Sequence, residues 1–238
     1  MINFVRQLLR NRRNARRIAR DEASDARLNS ETGRSDFLAL LDEECAQSSL
    51  IALLEDALKQ PGDIIECGVF RGDSLRRILK TVKDRAPDRT VFGLDSFEGF
   101  PPGGITGMDI TRFRSKDRLE GKFTNADDVP ARLNRFADAF EMKLDLHKGY
   151  FEHTLGGVSD RTFAFLHIDC DTYAGHIEVL DALYDRVVPG GIIVFDDYNT
   201  EEWPGATQAV DEFLADRPES VQVSHARAKP AYYMIKAA

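Results

Sequence analysis

Apolar residues recur along this chain in two alternating patterns. Short apolar or alternating runs at 63–68, 90–95, 143–147, 162–169, 192–195, 220–225 and 231–236 predict about seven strands. Helical spacing fills the intervals, over 75–80, 127–140, 174–186 and 206–214. Strand and helix in alternation predict a mostly parallel sheet, and the two last strands, with no helix between them, predict an antiparallel closing hairpin. Pro189-Gly190-Gly191 predicts a sharp turn in front of the run at 192–195. Ahead of the first strand, Ser35 reads as a helix cap before Phe37, Leu38, Leu40 and Leu41. A second helical pattern spans Ser48 to Lys59 and stops at Pro61-Gly62.

The strand ends carry the chemistry. Asp63 to Gly68 leads through Val69-Phe70-Arg71-Gly72-Asp73-Ser74 into a helix, the opening unit of a nucleotide-binding α/β fold. Gly68 permits close backbone approach to a ligand, and Gly72 permits a tight entry to the helix. The pattern is ExGxxxG, without the Lys-Ser/Thr of a phosphate loop. Asp95 ends the second strand, where a carboxylate can accept both ribose hydroxyls of a nucleotide. Asp169 and Asp171 end the central strand, and Asp196 and Asp197 end the next. Four carboxylates at one sheet edge repel one another unless a cation, a proton or a strong donor offsets them, and a divalent metal with oxygen ligands is the simplest resolution. With i, i+2 spacing, one of Asp169 and Asp171 could bind metal while the other takes a proton from substrate. Asp196 and Asp197 would diverge unless the chain is already turning there.

Beyond the second strand, Ser96 to Ala126 reads as a long irregular loop with Phe97, Phe100, Pro101-Pro102-Gly103-Gly104 and Gly107, placed to act as a substrate lid. Neither a kinase nor a dehydrogenase fits: the first needs a phosphate cradle, the second a glycine fingerprint with a placed Tyr-Lys or His pair. A metal-dependent transferase that activates a hydroxyl fits better.

Composition changes the picture only at the margins. The 238 residues suit one large α/β domain, and the net charge of -8 argues against a nucleic-acid partner. Cys45, Cys67 and Cys170 form no CxxC pair, read as buried fillers and suit a reducing cytoplasm. No run reaches the roughly 20 apolar residues of a membrane span, so integral membrane association is not expected. The first twenty residues hold seven arginines and no acid, with a short apolar stripe from Phe4 to Leu9. They read as a peripheral helix docked on the body or on a partner subunit. Residues 21–35 then read as a polar hinge, so residues 1–60 form a basic arm with cap helices and 61–238 the catalytic domain.

The stretches Glu66–Ser74, Leu94–Phe100, His167–Tyr173, Val188–Gly191 and Asp196–Tyr198, in this order over about residues 60 to 215, resemble the macrocin O-methyltransferase family. The resemblance implies a class I methyltransferase-like Rossmann sheet and transfer of a methyl group from S-adenosylmethionine to a hydroxyl of a sugar or glycosylated metabolite. It implies Mg²⁺ held by Asp169, Asp196 and Asp197, with Asp171 as general base. Glu66, Gly68, Val69, Arg71, Gly72, Ser74, Asp95, Ser96 and Asp169 would contact the cofactor, Glu66 and Gly68 at its methionine end and Asp95 at its ribose. Gly149 and Tyr150 would approach the adenine. A homo-oligomer through the N-terminal helices is expected as well. A catechol-like phenol as acceptor, or a cofactor-binding protein without catalysis, is the alternative. The chain departs from the family pattern at Ala174-Gly175 and at Asp73.

Overall fold

The computed structural model describes residues 19, 22–23, 25–111, 115–119, 123 and 128–238. The Arg-rich arm at 1–18 and the lid positions 112–114, 120–122 and 124–127 lie outside the described residues. The helices α1 (Glu31–Ala46) and α2 (Ser49–Ala57) lead into β1 (Asp63–Cys67). There follow α3 (Asp73–Arg85), β2 (Val91–Asp95), α4 (Val129–Ala139) and β3 (Leu144–Lys148). Then come β4 (Phe163–Ile168), α5 (Tyr173–Leu183), β5 (Val187–Phe195), α6 (Pro204–Leu214), β6 (Gln222–Ser224) and β7 (Ala231–Ile235). The seven strands form one sheet in the order β3-β2-β1-β4-β5-β7-β6, parallel from β3 to β5 and closed by the antiparallel β7 and β6. This is the Rossmann-like sheet of class I methyltransferases, with helices on both faces.

Successive residues of a strand point to opposite faces, so each central strand feeds two cores. Ile64, Phe165 and Ile192 pack against the face covered by α1 to α4, whereas Ile65, Leu166 and Ile193 pack toward α5 and α6. Being buried on both faces, β4 is apolar almost throughout. The strand order reverses between β1 and β4. A crevice therefore opens above their carboxyl ends, where ligands bind in such sheets.

Two local readings of the sequence are corrected. The cap of α1 is Ser30, whose Oγ accepts the N–H of Gly33 at 3.0 Å, so Ser35 lies inside the helix and the supposed hinge is partly helical. Pro189-Gly190-Gly191 does not precede β5 but runs within it. Gly190, at φ +79°, donates its N–H to the Lys236 carbonyl, and Lys236 returns one to Gly191. The register against β4 jumps from Phe163–Val187 to Phe165–Ile192, so a bulge absorbs the turn-like residues without ending the strand.

Polar contacts tie the helices before β1 to the body. Lys80 of α3 is nearly buried and places its ammonium 2.6 Å from Asp42 of α1 and 2.5 Å from Asp84. The loop between β6 and β7 is latched to the α1–α2 junction by Arg227, whose guanidinium donates to the Cys45 carbonyl at 2.6 Å and meets Glu55 at 3.0 Å. The Arg227 N–H also donates to Ser49 Oγ, and Lys229 bridges to Ser48. Among the described residues no helix is long and apolar enough to cross a membrane.

The load on β4 can be measured. Phe165 is fully buried, and Phe165→Ala should cost about 3–5 kcal/mol, read as a lower urea midpoint with an unchanged slope. An unchanged midpoint would show that this strand does not anchor the core.

Candidate active site

The carboxyl ends of β1, β4 and β5 are fixed by backbone hydrogen bonds that continue past the strands. Asp169 donates its N–H to the Cys67 carbonyl at 2.9 Å, and Asp196 donates to Ile168 at 3.0 Å. Gly68, at φ +93°, passes so close to Asp169 that a Cβ would stand 1.9 Å from its carbonyl oxygen. Glycine is therefore required here by the neighbouring strand rather than by a ligand. Gly72, at φ +79°, starts α3 and faces Leu133.

With the backbone so pinned, one carboxylate oxygen each from Asp169, Asp196 and Asp197 falls within 4.8 Å of the others. Asp196 and Asp197 converge because β5 ends at Phe195 and the chain turns immediately. Asp171 stands outside this trio. β4 ends at Ile168, and Asp171 adopts φ +62° and donates its N–H to Asp197 Oδ2 at 3.1 Å.

Two cavities of about 240 and 230 Å³ flank this trio, with Asp169 and Asp196 lining both and Asp197 the first. The first lies over β3, β2 and β1 and gathers Gly68, Asp95, Ser96, Gly149, Tyr150 and Asp171 with the trio. The second lies toward α3 and holds Val69, Arg71 and Ser74. Glu66 and Gly72 line neither. Glu66 is fully buried on β1 and accepts from His167 Nδ1 at 2.7 Å, which leaves Glu66 Oε2 and His167 Nε2 without partners among the described residues.

Asp95 already has backbone donors. Its Oδ2 accepts the N–H groups of Val69 at 2.8 Å and Phe70 at 2.7 Å, and its Oδ1 that of Phe97 at 2.5 Å. The carboxylate thus shapes the glycine turn, and Oδ1 keeps room for one further donor. Burial pushes the Asp95 carboxyl up, and those three N–H groups oppose the rise.

The trio is electrostatically loaded. Burial, then the charges of Asp196 and Asp197, hold the Asp169 carboxyl well above the usual range. Burial and Asp196 push Asp197 up to about 7, against the Asp171 N–H, His167 and Lys229. Cys67 and Cys170 are buried free thiols, both raised chiefly by burial, so neither is an activated nucleophile. His176, bonded to the Thr172 carbonyl at 2.9 Å, is lowered to about 4 by burial and is neutral.

Comparison with known proteins decides the family. Residues 45–233 match the family described as macrocin-O-methyltransferase (TylF). The chain belongs to the macrocin O-methyltransferase family. It is similar to demethyldecarbamoylnovobiocin O-methyltransferase of Streptomyces niveus, 34% identical over 65% of this chain and 59% of that protein. It is also similar to mycinamicin III 3''-O-methyltransferase of Micromonospora griseorubida, 33% identical over 67% of this chain and 64% of that one. The alignments thus span less than two thirds of these relatives' lengths. Among solved structures, the calicheamicin methyltransferase CalS11 superposes with a TM-score of 0.67 at 25% identity, covering 85% of this chain and 79% of that one. The O-methyltransferase NovP does so at 0.65 and 27%, covering 79% and 78%.

Three features of this macrocin O-methyltransferase family site escaped the sequence reading. Buried Asp109 binds the lid in two directions, accepting from Thr106 N–H and Oγ through Oδ2 and from Tyr173 N–H through Oδ1. A cluster of edge-to-face and tilted aromatic contacts joins Phe70, Phe100, Phe123 and Trp203 beside the first cavity. The third is the Glu66–His167 pair. The capping box Thr106-x-x-Asp109 was the one available signal.

The charge loading has a measurable sign. Asp197 stays protonated in the folded chain up to about 7 but ionises at about 4 when unfolded. The folded state therefore binds the extra proton, and the stability this contributes is lost as pH rises from about 4 to about 7. Calorimetry of the metal-free protein should show a falling midpoint over that window, and Mg²⁺ should raise the midpoint more at about pH 8 than at about pH 5. A metal response independent of pH would contradict this electrostatic account.

Proposed function

We propose that this chain transfers a methyl group from S-adenosylmethionine to a hydroxyl of a sugar or glycosylated metabolite, with Mg²⁺ at Asp169, Asp196 and Asp197. The observation that carries the proposal is that Asp169 and Asp196 of the trio line two neighbouring cavities. A donor in the first and an acceptor in the second would meet there. The all-oxygen donor set suits a hard divalent ion, and the like charges of three converging carboxylates call for one. The named activities of the novobiocin and mycinamicin relatives support a sugar-bearing acceptor.

In this reading Asp95 Oδ1 accepts a ribose hydroxyl, while Ser96, Gly149 and Tyr150 enclose the adenosine end and Gly68 lets the backbone run beneath the cofactor. Val69, Arg71 and Ser74 border the methionine end from the second cavity, and Gly72 and Glu66 hold that turn and its neighbour His167 in place. When bound, the ion supplies Lewis acidity and the cofactor an electrophilic methyl group. Asp171 removes the acceptor proton at its carboxylate, held by the Asp197 contact to its N–H. The lid residues Phe100 and Phe123 exclude water. A reducing cytoplasm suits the buried thiols, and assembly through the N-terminal helices belongs to the same proposal.

The test is mass-spectrometric detection of methyl transfer to a panel of rhamnosides, other glycosides and catechols. Methylated glycosides are expected, and efficient transfer to catechols alone would overturn the acceptor class. In Asp171→Asn, kcat should fall by about 10²–10⁴-fold with Mg²⁺ affinity unchanged. Full activity in that variant would remove Asp171 as the base.

A further inference from the structure

One wall of the first cavity carries a carboxylate that the methyl-transfer chemistry does not use. Helix α5 begins at Tyr173, and its residues Ala174, Gly175 and Glu178 line that cavity. Spacings of three and four put Glu178 on the same helix face as the two small residues. Ala174 and Gly175 carry no more than a methyl group, so the cavity runs along α5 as far as the Glu178 carboxylate. Glu178 is half-buried and makes no hydrogen bond or ion pair among the described residues. Burial, then the charge of Glu152, raises its carboxyl, and His153 opposes the rise. An ionised carboxylate only accepts hydrogen bonds, so a ligand that lies against it is favoured by a donor. The neighbouring wall residues Phe151, Cys170 and Ala174 are apolar and suit the faces of a flat ring. Adenine meets both demands. It is flat, and its edge carries a 6-amino donor where guanine and inosine carry a carbonyl acceptor.

We propose that Glu178 reads the purine of the methyl donor by accepting an N–H of the adenine 6-amino group, which makes it a specificity-determining residue of the donor site. This inference rests on the methyl-transfer reading, which sets the adenosine end beside Ser96, Gly149 and Tyr150, and it names what selects the base there. A purine with a carbonyl at C6 turns an acceptor toward the carboxylate, and the facing negative charge rejects it.

The test is calorimetric binding of S-adenosylhomocysteine and S-inosylhomocysteine to the full chain with Mg²⁺ present. The inosyl compound carries a carbonyl in place of the 6-amino group, and S-adenosylhomocysteine should bind at least about tenfold tighter. In Glu178→Ala the preference should shrink to within about twofold because S-adenosylhomocysteine binds more weakly. In Glu178→Gln, whose amide can donate to the carbonyl, it should shrink because the inosyl compound binds more tightly. Both variants should keep the native melting temperature. A control, Glu152→Gln, removes a neighbouring carboxylate that pairs with His153 and does not line the cavity, and it should keep the preference. Equal binding of the two compounds by the native chain, or a preference that survives Glu178→Ala, overturns the inference and leaves the methyl-transfer reading standing. So does a Glu178→Ala variant that weakens both compounds alike, which would mark Glu178 as a support of α5 rather than a reader of the base. Failure of the native chain to bind either compound would remove the methyl-transfer reading and this inference with it.

Discussion

Three carboxylates converge at a sheet edge whose backbone is pinned by hydrogen bonds. The strands fix Asp169 through Cys67 and Asp196 through Ile168, and Gly68 lies against the Asp169 carbonyl with no room for a side chain. Like charges normally relax by moving apart or by taking up protons. Here the pinned backbone brings the three aspartates to one edge, and burial first, then their mutual repulsion, raises the carboxyl groups of Asp169 and Asp197. The trio is thus electrostatically loaded, and the divalent cation proposed for it would offset that charge.

The surrounding chain serves that arrangement from both ends. Asp109 ties the lid to the start of α5 on the side of the first cavity. Arg227 ties the β6–β7 loop to the α1–α2 junction on the side of the second, which sets Lys229 above Asp196. Residues distant in sequence therefore build the second cavity, whereas the first comes largely from successive strand ends. The match over residues 45–233 includes both of these walls.

What could be read from the sequence follows the same division. The strands and the carboxylates at their ends were legible because a doubly buried strand has a continuous apolar pattern and a catalytic edge interrupts it. Asp169, Asp196, Asp197 and Asp95 were found this way. The bulge in β5 was not, because Pro189-Gly190-Gly191 carries the local signature of a turn and only pairing with Lys236 keeps it in the sheet. Ser35 read as the cap because it stands just before the apolar run from Phe37, whereas the true cap, Ser30, precedes the polar stretch Glu31-Thr32-Gly33-Arg34 and is marked only by its bond to Gly33. Glu66 looked like a cofactor contact. Its true neighbour, His167, lies 101 residues away on β4, and no spacing rule reports a cross-strand pair of that kind. Arg227 and Lys229 were invisible for the same reason.

The central claim is that the aspartate trio holds a divalent ion on which methyl transfer to a sugar hydroxyl depends. The most direct measurement is transfer from radiolabelled S-adenosylmethionine to a rhamnosyl acceptor, run with EDTA and then with Mg²⁺ restored. The account predicts that transfer collapses in EDTA, returns with Mg²⁺, and fails to return in Asp196→Asn. Transfer that continues unchanged in EDTA would contradict it.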